Sequence, residues 1–187
     1  ITPGKTYEYN ALKNEITISH SGILNPKLQY KPTDYEYRLA HVKSVDGTNI
    51  PISIFFKKNH AQRNTTLIYS YGAYGKSIAM NFKPKNLYLM DQGYVLAYAH
   101  IRGGGEYGTF WHKSAVKKTK HKSCEDLAAV SEFLSKKPFA LKHKPVLQSR
   151  SAGAIAAACA AFKSPDTLSL LVLENPFFNA LEYLENT

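Results

Sequence analysis

Ser149-Arg150-Ser151-Ala152-Gly153 sets one serine among small residues, between the short apolar run Val146-Leu147-Gln148 and an alanine-rich stretch. A sharp strand-to-helix turn holds a serine hydroxyl above the edge of a sheet, over the N-terminus of the next helix. Small neighbours are required because strand and helix nearly touch there. The pattern is G-x-S-x-G with serine in place of the first glycine, so Ser151 is a candidate nucleophile for acyl transfer. The alternative is an ordinary helix cap, whose hydroxyl only satisfies orphan N–H groups.

Acyl transfer also needs hydrogen-bond donors where a carbonyl oxygen becomes negative. Tyr69-Ser70-Tyr71-Gly72-Ala73-Tyr74-Gly75 ends an apolar strand. In a doubly wound sheet the carboxyl ends of parallel strands gather at one edge, which brings Tyr71 towards Ser151. The Tyr71 phenol and the Ala152 backbone N–H then form a candidate donor pair, the alternative being plain sheet-end aromatics. Gly103-Gly104-Gly105-Glu106-Tyr107-Gly108 matches G-x-G-x-x-G after a strand. Against a dinucleotide site stand the negative Glu106 where a pyrophosphate would lie and the bulky Phe110-Trp111-His112 where a helix should start. These glycines read instead as a tight loop, with Arg102 and Glu106 free to pair with each other or with a neighbour.

The elements that must position these residues are legible in outline. Tyr7, Tyr9, Ile16 and Ile18 alternate with polar residues around Lys13-Asn14, giving a first hairpin. Ser21 to Asp34, with Gly22, Pro26 and Pro32, reads as a linker. A second hairpin runs from about Tyr37 to Val45, turns at Asp46-Gly47, and returns with Ile50, Ile52, Ile54 and Phe56 on one face, Ser53 and Lys57 on the other. After the polar loop His60 to Asn64 come short buried strands at Thr66 to Tyr71, Tyr94 to His100, Pro145 to Gln148 and Leu168 to Leu173. Helices are predicted at Asp126 to Lys136 and at Ala152 to Phe162, the latter apolar nearly all round and hence buried. Alternating buried strands and helices imply a mostly parallel α/β sheet.

Composition narrows the function classes. At 187 residues, 44% hydrophobic and 20% charged, the chain has the makeup of a globular protein with one sizeable core. No apolar run is long enough to span a bilayer, so no membrane partner is expected. The net charge of +10 concentrates at Lys117, Lys118, Lys120 and Lys122, at Lys136-Lys137 and at Lys142-His143-Lys144. These fall at element ends and in loops, without zinc spacing or an aromatic RNA-binding signature, so a wet surface is expected rather than nucleic-acid binding. Cys124 and Cys159 belong to no C-x-x-C pair; neither a disulfide nor a metal site is suggested, and a reducing, cytoplasmic setting is expected. No cofactor is indicated. Because the chain begins at Ile1, it is expected to be part of something longer.

Tyr71-Gly72-Ala73-Tyr74-Gly75, Ala99-His100-Ile101-Arg102-Gly103-Gly104-Gly105-Glu106-Tyr107-Gly108 with Trp111-His112, then Lys120 and Asp126, then Arg150-Ser151-Ala152-Gly153 follow one another as in the prolyl oligopeptidase family. The resemblance spans Thr2 to Phe178 and is nearest the oligopeptidase B branch. It implies an α/β-hydrolase domain preceded by a β-propeller: residues 1–20 the last propeller strands, 21–34 a linker, and 35–187 the N-terminal part of the peptidase domain. It further implies a serine endopeptidase acting on short peptides, with Ser151 as nucleophile, Tyr71 and Ala152 as oxyanion donors and Tyr74 facing the substrate. Cleavage after basic residues would be inherited from the branch, although Glu182 and Glu185 do not match its acidic pocket. Ser149 and Ala154 stand where the family has glycines, so the elbow is either shifted or absorbs them.

The base is the missing part. In α/β-hydrolases the order is serine, aspartate, histidine, yet no histidine follows Ser151, and Asp166 comes too early for the triad aspartate. His20, His41, His60, His100, His112, His121 and His143 all lie upstream, and the resemblance gives none of them a base role. The chain alone is therefore expected to be inactive, lacking the C-terminal part of the catalytic domain. The other readings are a truncated non-catalytic paralogue serving as a binding or assembly partner, and an esterase on the same scaffold.

Overall fold

The computed structural model describes residues 4–21, 30–58, 66–137 and 143–179. Most of the expected linker, the loop His60 to Asn64, and Glu182 and Glu185 lie outside the described residues. Strands β1 (Lys5–Asn10) and β2 (Glu15–Ser21) pair as the expected antiparallel hairpin in a sheet of their own, with Asn14 at φ 53° in the turn. Tyr7 faces Ile18 and Tyr9 faces Ile16 across it.

The main sheet has six strands in the order β3-β4-β6-β5-β7-β8. β3 (Tyr35–Lys43) and β4 (Asn49–Lys57) form the second hairpin, and β4 runs antiparallel to β6 (Val95–Ala99). β5 (Thr66–Ser70), β6, β7 (Val146–Arg150) and β8 (Leu170–Glu174) are mutually parallel neighbours. β4 is buried on both faces: Ile50, Ile52 and Ile54 join the main core, while Ser53 on the opposite face is 1% exposed.

Among the described residues four α-helices connect the strands: α1 (Pro84–Asp91), α2 (Gly108–Lys113), α3 (His121–Ser135) and α4 (Gly153–Lys163). Pro84 starts α1, where its fixed φ suits the first turn and its missing N–H costs nothing. Its buried Leu87 and Met90 pack on Phe55 and Leu96 of one sheet face. On the opposite face Leu127, Val130 and Leu134 of α3 and Ala156, Ala157 and Ala160 of α4 cover Ile52, Ile68, Ala97 and Leu147. Each fully buried leucine or isoleucine contributes about 1.5–3 kcal/mol of transfer free energy. This is the expected α/β arrangement.

Three expectations change. α3 begins five residues earlier than its apolar pattern indicated, because its first turn buries Ser123 and Cys124 rather than large apolar residues. α4 is not buried all round: Phe162 in its last turn is exposed. Cys124 and Cys159 form a disulfide, with Cα atoms 5.6 Å apart. Thirty-five residues separate them, but α3 and α4 lie side by side on one face of the sheet, a proximity that spacing along the chain cannot show. The reducing setting inferred from unpaired cysteines loses its ground. Among the described residues no helix is long and apolar enough to cross a membrane.

Candidate active site

β5 lies between β6 and β7, so the chain leaves it on one side through α1 and returns on the other through α3. Such a reversal opens a crevice beyond the carboxyl ends of the strands. Tyr71 follows β5, the Arg102–Gly108 loop follows β6, and Ser151 follows β7. The three segments singled out in the sequence thus meet at one edge. A cavity of about 590 Å³ opens there, and both Tyr71 and Ser151 line it, together with Tyr69, Ile78, Arg150 and Glu174.

Ser151 has φ 51°, a left-handed backbone that a non-glycine residue adopts only when its surroundings enforce it. Here they do. The Ser151 N–H donates to the Glu174 carbonyl at 2.9 Å, and its carbonyl accepts from the N–H of Ala154 at 3.0 Å and of Phe177 at 3.3 Å. Ala152 and Gly153 are buried behind it at the start of α4. The backbone here has the sharp, left-handed turn that a nucleophile elbow requires, and no side-chain cap bond is made at the start of α4.

Gly153 is dictated by close approach. A Cβ there would stand 2.5 Å from the Ser149 Oγ and 2.8 Å from the Tyr71 carbonyl oxygen. Ser149 itself is absorbed: fully buried, its hydroxyl donates to the Ser70 carbonyl at 2.9 Å and ties β7 to β5. Ala154 is likewise fully buried without displacing the elbow.

Burial, and secondarily the neighbouring Tyr74, raises the Tyr71 phenol above its ordinary pKa, so it stays protonated and able to donate at neutral pH. Tyr74 is exposed, with φ 55°. Beneath these loops lies a polar network that the sequence only hinted at. Arg102, 3% exposed, pairs not with Glu106 but with Asp126 on α3 and Asp46 in the β3–β4 turn. Burial opposes its charge, but the two carboxylates more than offset this and hold the guanidinium above its usual range. Glu106 instead accepts the Ile78 N–H at 3.0 Å and faces His100 at 3.4 Å.

Two of the seven upstream histidines, His100 and His112, follow β6, and both are engaged with other partners. His100 bonds the Ser53 hydroxyl at 2.9 Å on the neighbouring strand β4, and His112 bonds the Gly103 carbonyl at 3.1 Å. No histidine is among the described residues lining the cavity.

A six-stranded, mostly parallel sheet carrying a nucleophile elbow at its switch-point crevice defines the α/β-hydrolase class. Within that class, residues 80–187 match the model of the prolyl oligopeptidase family. The chain belongs to this family. Prolyl endopeptidase-like of Xenopus laevis is 30% identical over all of this chain and 26% of its own length. Prolyl endopeptidase of Elizabethkingia meningoseptica is 33% identical over 89% of this chain and 23% of its own. Oligopeptidase B from Trypanosoma brucei with covalently bound antipain superposes with a TM-score of 0.84 at 27% identity, over 96% of this chain and 26% of that one. The chain therefore spans about a quarter of the relatives it matches.

Proposed function

We propose that this chain supplies the nucleophile and oxyanion hole of a serine peptidase acting on short peptides. The left-handed Ser151 at the mouth of a cavity that it shares with Tyr71 carries the reading. In the reaction the Ser151 hydroxyl attacks the peptide carbonyl, its proton passing to a base. The Tyr71 hydroxyl and the Ala152 N–H donate to the oxygen that becomes negative. Tyr74, exposed on the same loop, is available to face the substrate. The base and its carboxylate are supplied by residues outside the cavity's described lining, which holds no histidine. Residues 1–20 act as the end of a propeller and 35–187 as part of the peptidase domain.

Cleavage after basic residues rests on the resemblance to the oligopeptidase B branch alone. Glu174 is the one carboxylate among the cavity's described lining residues, its side chain bonded to Gln148, against Lys76, Lys83, Lys85 and Arg150. Side-by-side assay of prolyl and arginyl peptide amides with the protein as naturally expressed tests both points. Turnover of either, abolished in Ser151→Ala, supports the peptidase reading. Ester hydrolysis without amide hydrolysis favours an esterase, and stable peptide capture without turnover favours a binding paralogue.

A further inference from the structure

Lys120 lies just before α3, far from the sequence motifs of nucleophile and oxyanion loop, yet its side chain runs inward. Its Nζ donates to the Gly72 carbonyl at 2.6 Å and lies 3.3 Å from the Ser123 Oγ. Burial lowers its amine below the ordinary lysine range, as removal from water does to a cation. A partly desolvated lysine is retained when its hydrogen bonds are needed, and the strongest here goes to a backbone oxygen one residue beyond Tyr71.

Gly72 is gripped from several sides. Gly103 presses on its carbonyl so closely that any Cβ there would collide with the Gly72 oxygen. Gly75 N–H donates to the Gly103 carbonyl at 3.0 Å, and His112 holds that same carbonyl. Tyr71 on the other side has its backbone against Gly153 of the elbow. The segment therefore has one rigid support at the elbow and one at Gly72, and Lys120 is the side chain that bonds the second directly. Ser123, by donating to the Arg102 carbonyl at 2.8 Å, holds the first turn of α3 in place to present Lys120.

We propose that Lys120 is a positioning residue of the oxyanion hole, anchoring the Gly72 carbonyl so that the Tyr71 hydroxyl stays aimed at the Ser151 reaction centre. It touches no substrate. This rests on the peptidase reading above, in which Tyr71 is a donor. An oxyanion donor acts in the transition state, so loosening it lowers kcat and leaves KM nearly unchanged.

The test uses the protein as naturally expressed, in four forms: wild type, Lys120→Met, Tyr71→Phe and the double variant. Lys120→Met is expected to lower kcat about 10- to 100-fold with KM within about twofold. In the Tyr71→Phe background the same substitution is expected to cost less than about twofold, because two residues acting through one hydroxyl are not additive. Full additivity, or a loss in KM alone, would overturn the proposal. If Lys120→Met does not fold, Lys120→Gln, one bond shorter and uncharged, takes its place in the same cycle.

Amide hydrogen exchange separates this claim from the peptidase reading. Faster exchange over residues 71–75 in the lysine variant, with 146–150 unchanged, supports the anchor even if wild type shows no turnover, an outcome that would sink the peptidase reading instead. Unchanged exchange over 71–75 would overturn the anchor whatever the kinetics.

Discussion

Ser151 is held in a left-handed conformation by three backbone hydrogen bonds, and Gly153 beside it lets Tyr71 lie against the elbow. Adding a methyl group at Gly153 would push the Ser149 hydroxyl and the Tyr71 backbone apart. Gly153→Ala is expected to destabilise the fold by about 1–3 kcal/mol, as overpacking does, and to depress Ser151 reactivity. Urea unfolding monitored by tryptophan fluorescence checks the first part, and labelling rate the second. Tyr71→Phe keeps the ring and removes the donor. In the active protein it is expected to lower kcat on the order of 10²-fold without a change in unfolding midpoint, read by steady-state kinetics alongside denaturation.

α3 is the element that binds the site's loops together. Its Asp126 accepts from both the backbone N–H and the guanidinium of Arg102, and its Cys124 is joined to Cys159 of α4. Asp126→Ala leaves Arg102 buried without its best partner and is expected to cost about 3–5 kcal/mol, measured by chemical denaturation. Reducing the disulfide frees a 35-residue separation, for which chain entropy gives a loss of about 3–4 kcal/mol. The unfolding midpoint is expected to fall in dithiothreitol, and that of Cys159→Ser to match the reduced protein. Asp46 adds a pH dependence: the hydrogen bond from Arg102, foremost, depresses its carboxyl well below the ordinary 3.8. A depressed carboxylate contributes stability that is present above its unfolded pKa and lost as pH falls through that value towards the folded one. The urea midpoint is expected to drop below about pH 4, and less steeply in Asp46→Asn.

At the scale of the molecule, the fold class followed from local signals, namely alternation in β4 and short apolar strands, whereas the candidate site needed the resemblance to a family beside the serine set between a strand and small residues. What stayed hidden depends on distance along the chain. The Cys124–Cys159 bond, the Lys120 grip on Gly72 and the pairing of Arg102 with Asp126 and Asp46 join residues 24 to 56 positions apart. A pattern of neighbouring residue types carries no signal for them, and for Arg102 it left the partner open between Glu106 and a neighbour. α1 was missed for a different reason: eight residues with two buried positions make too short an apolar stripe to register. The proposed role of Ser151 is that of an activated nucleophile in the assembled protein. It is tested most directly by treating the naturally expressed protein with a fluorophosphonate and mapping the adduct by peptide mass spectrometry. A single adduct on Ser151, lost in Ser151→Ala, is expected; absence of labelling, or labelling that survives this substitution, would contradict an activated Ser151.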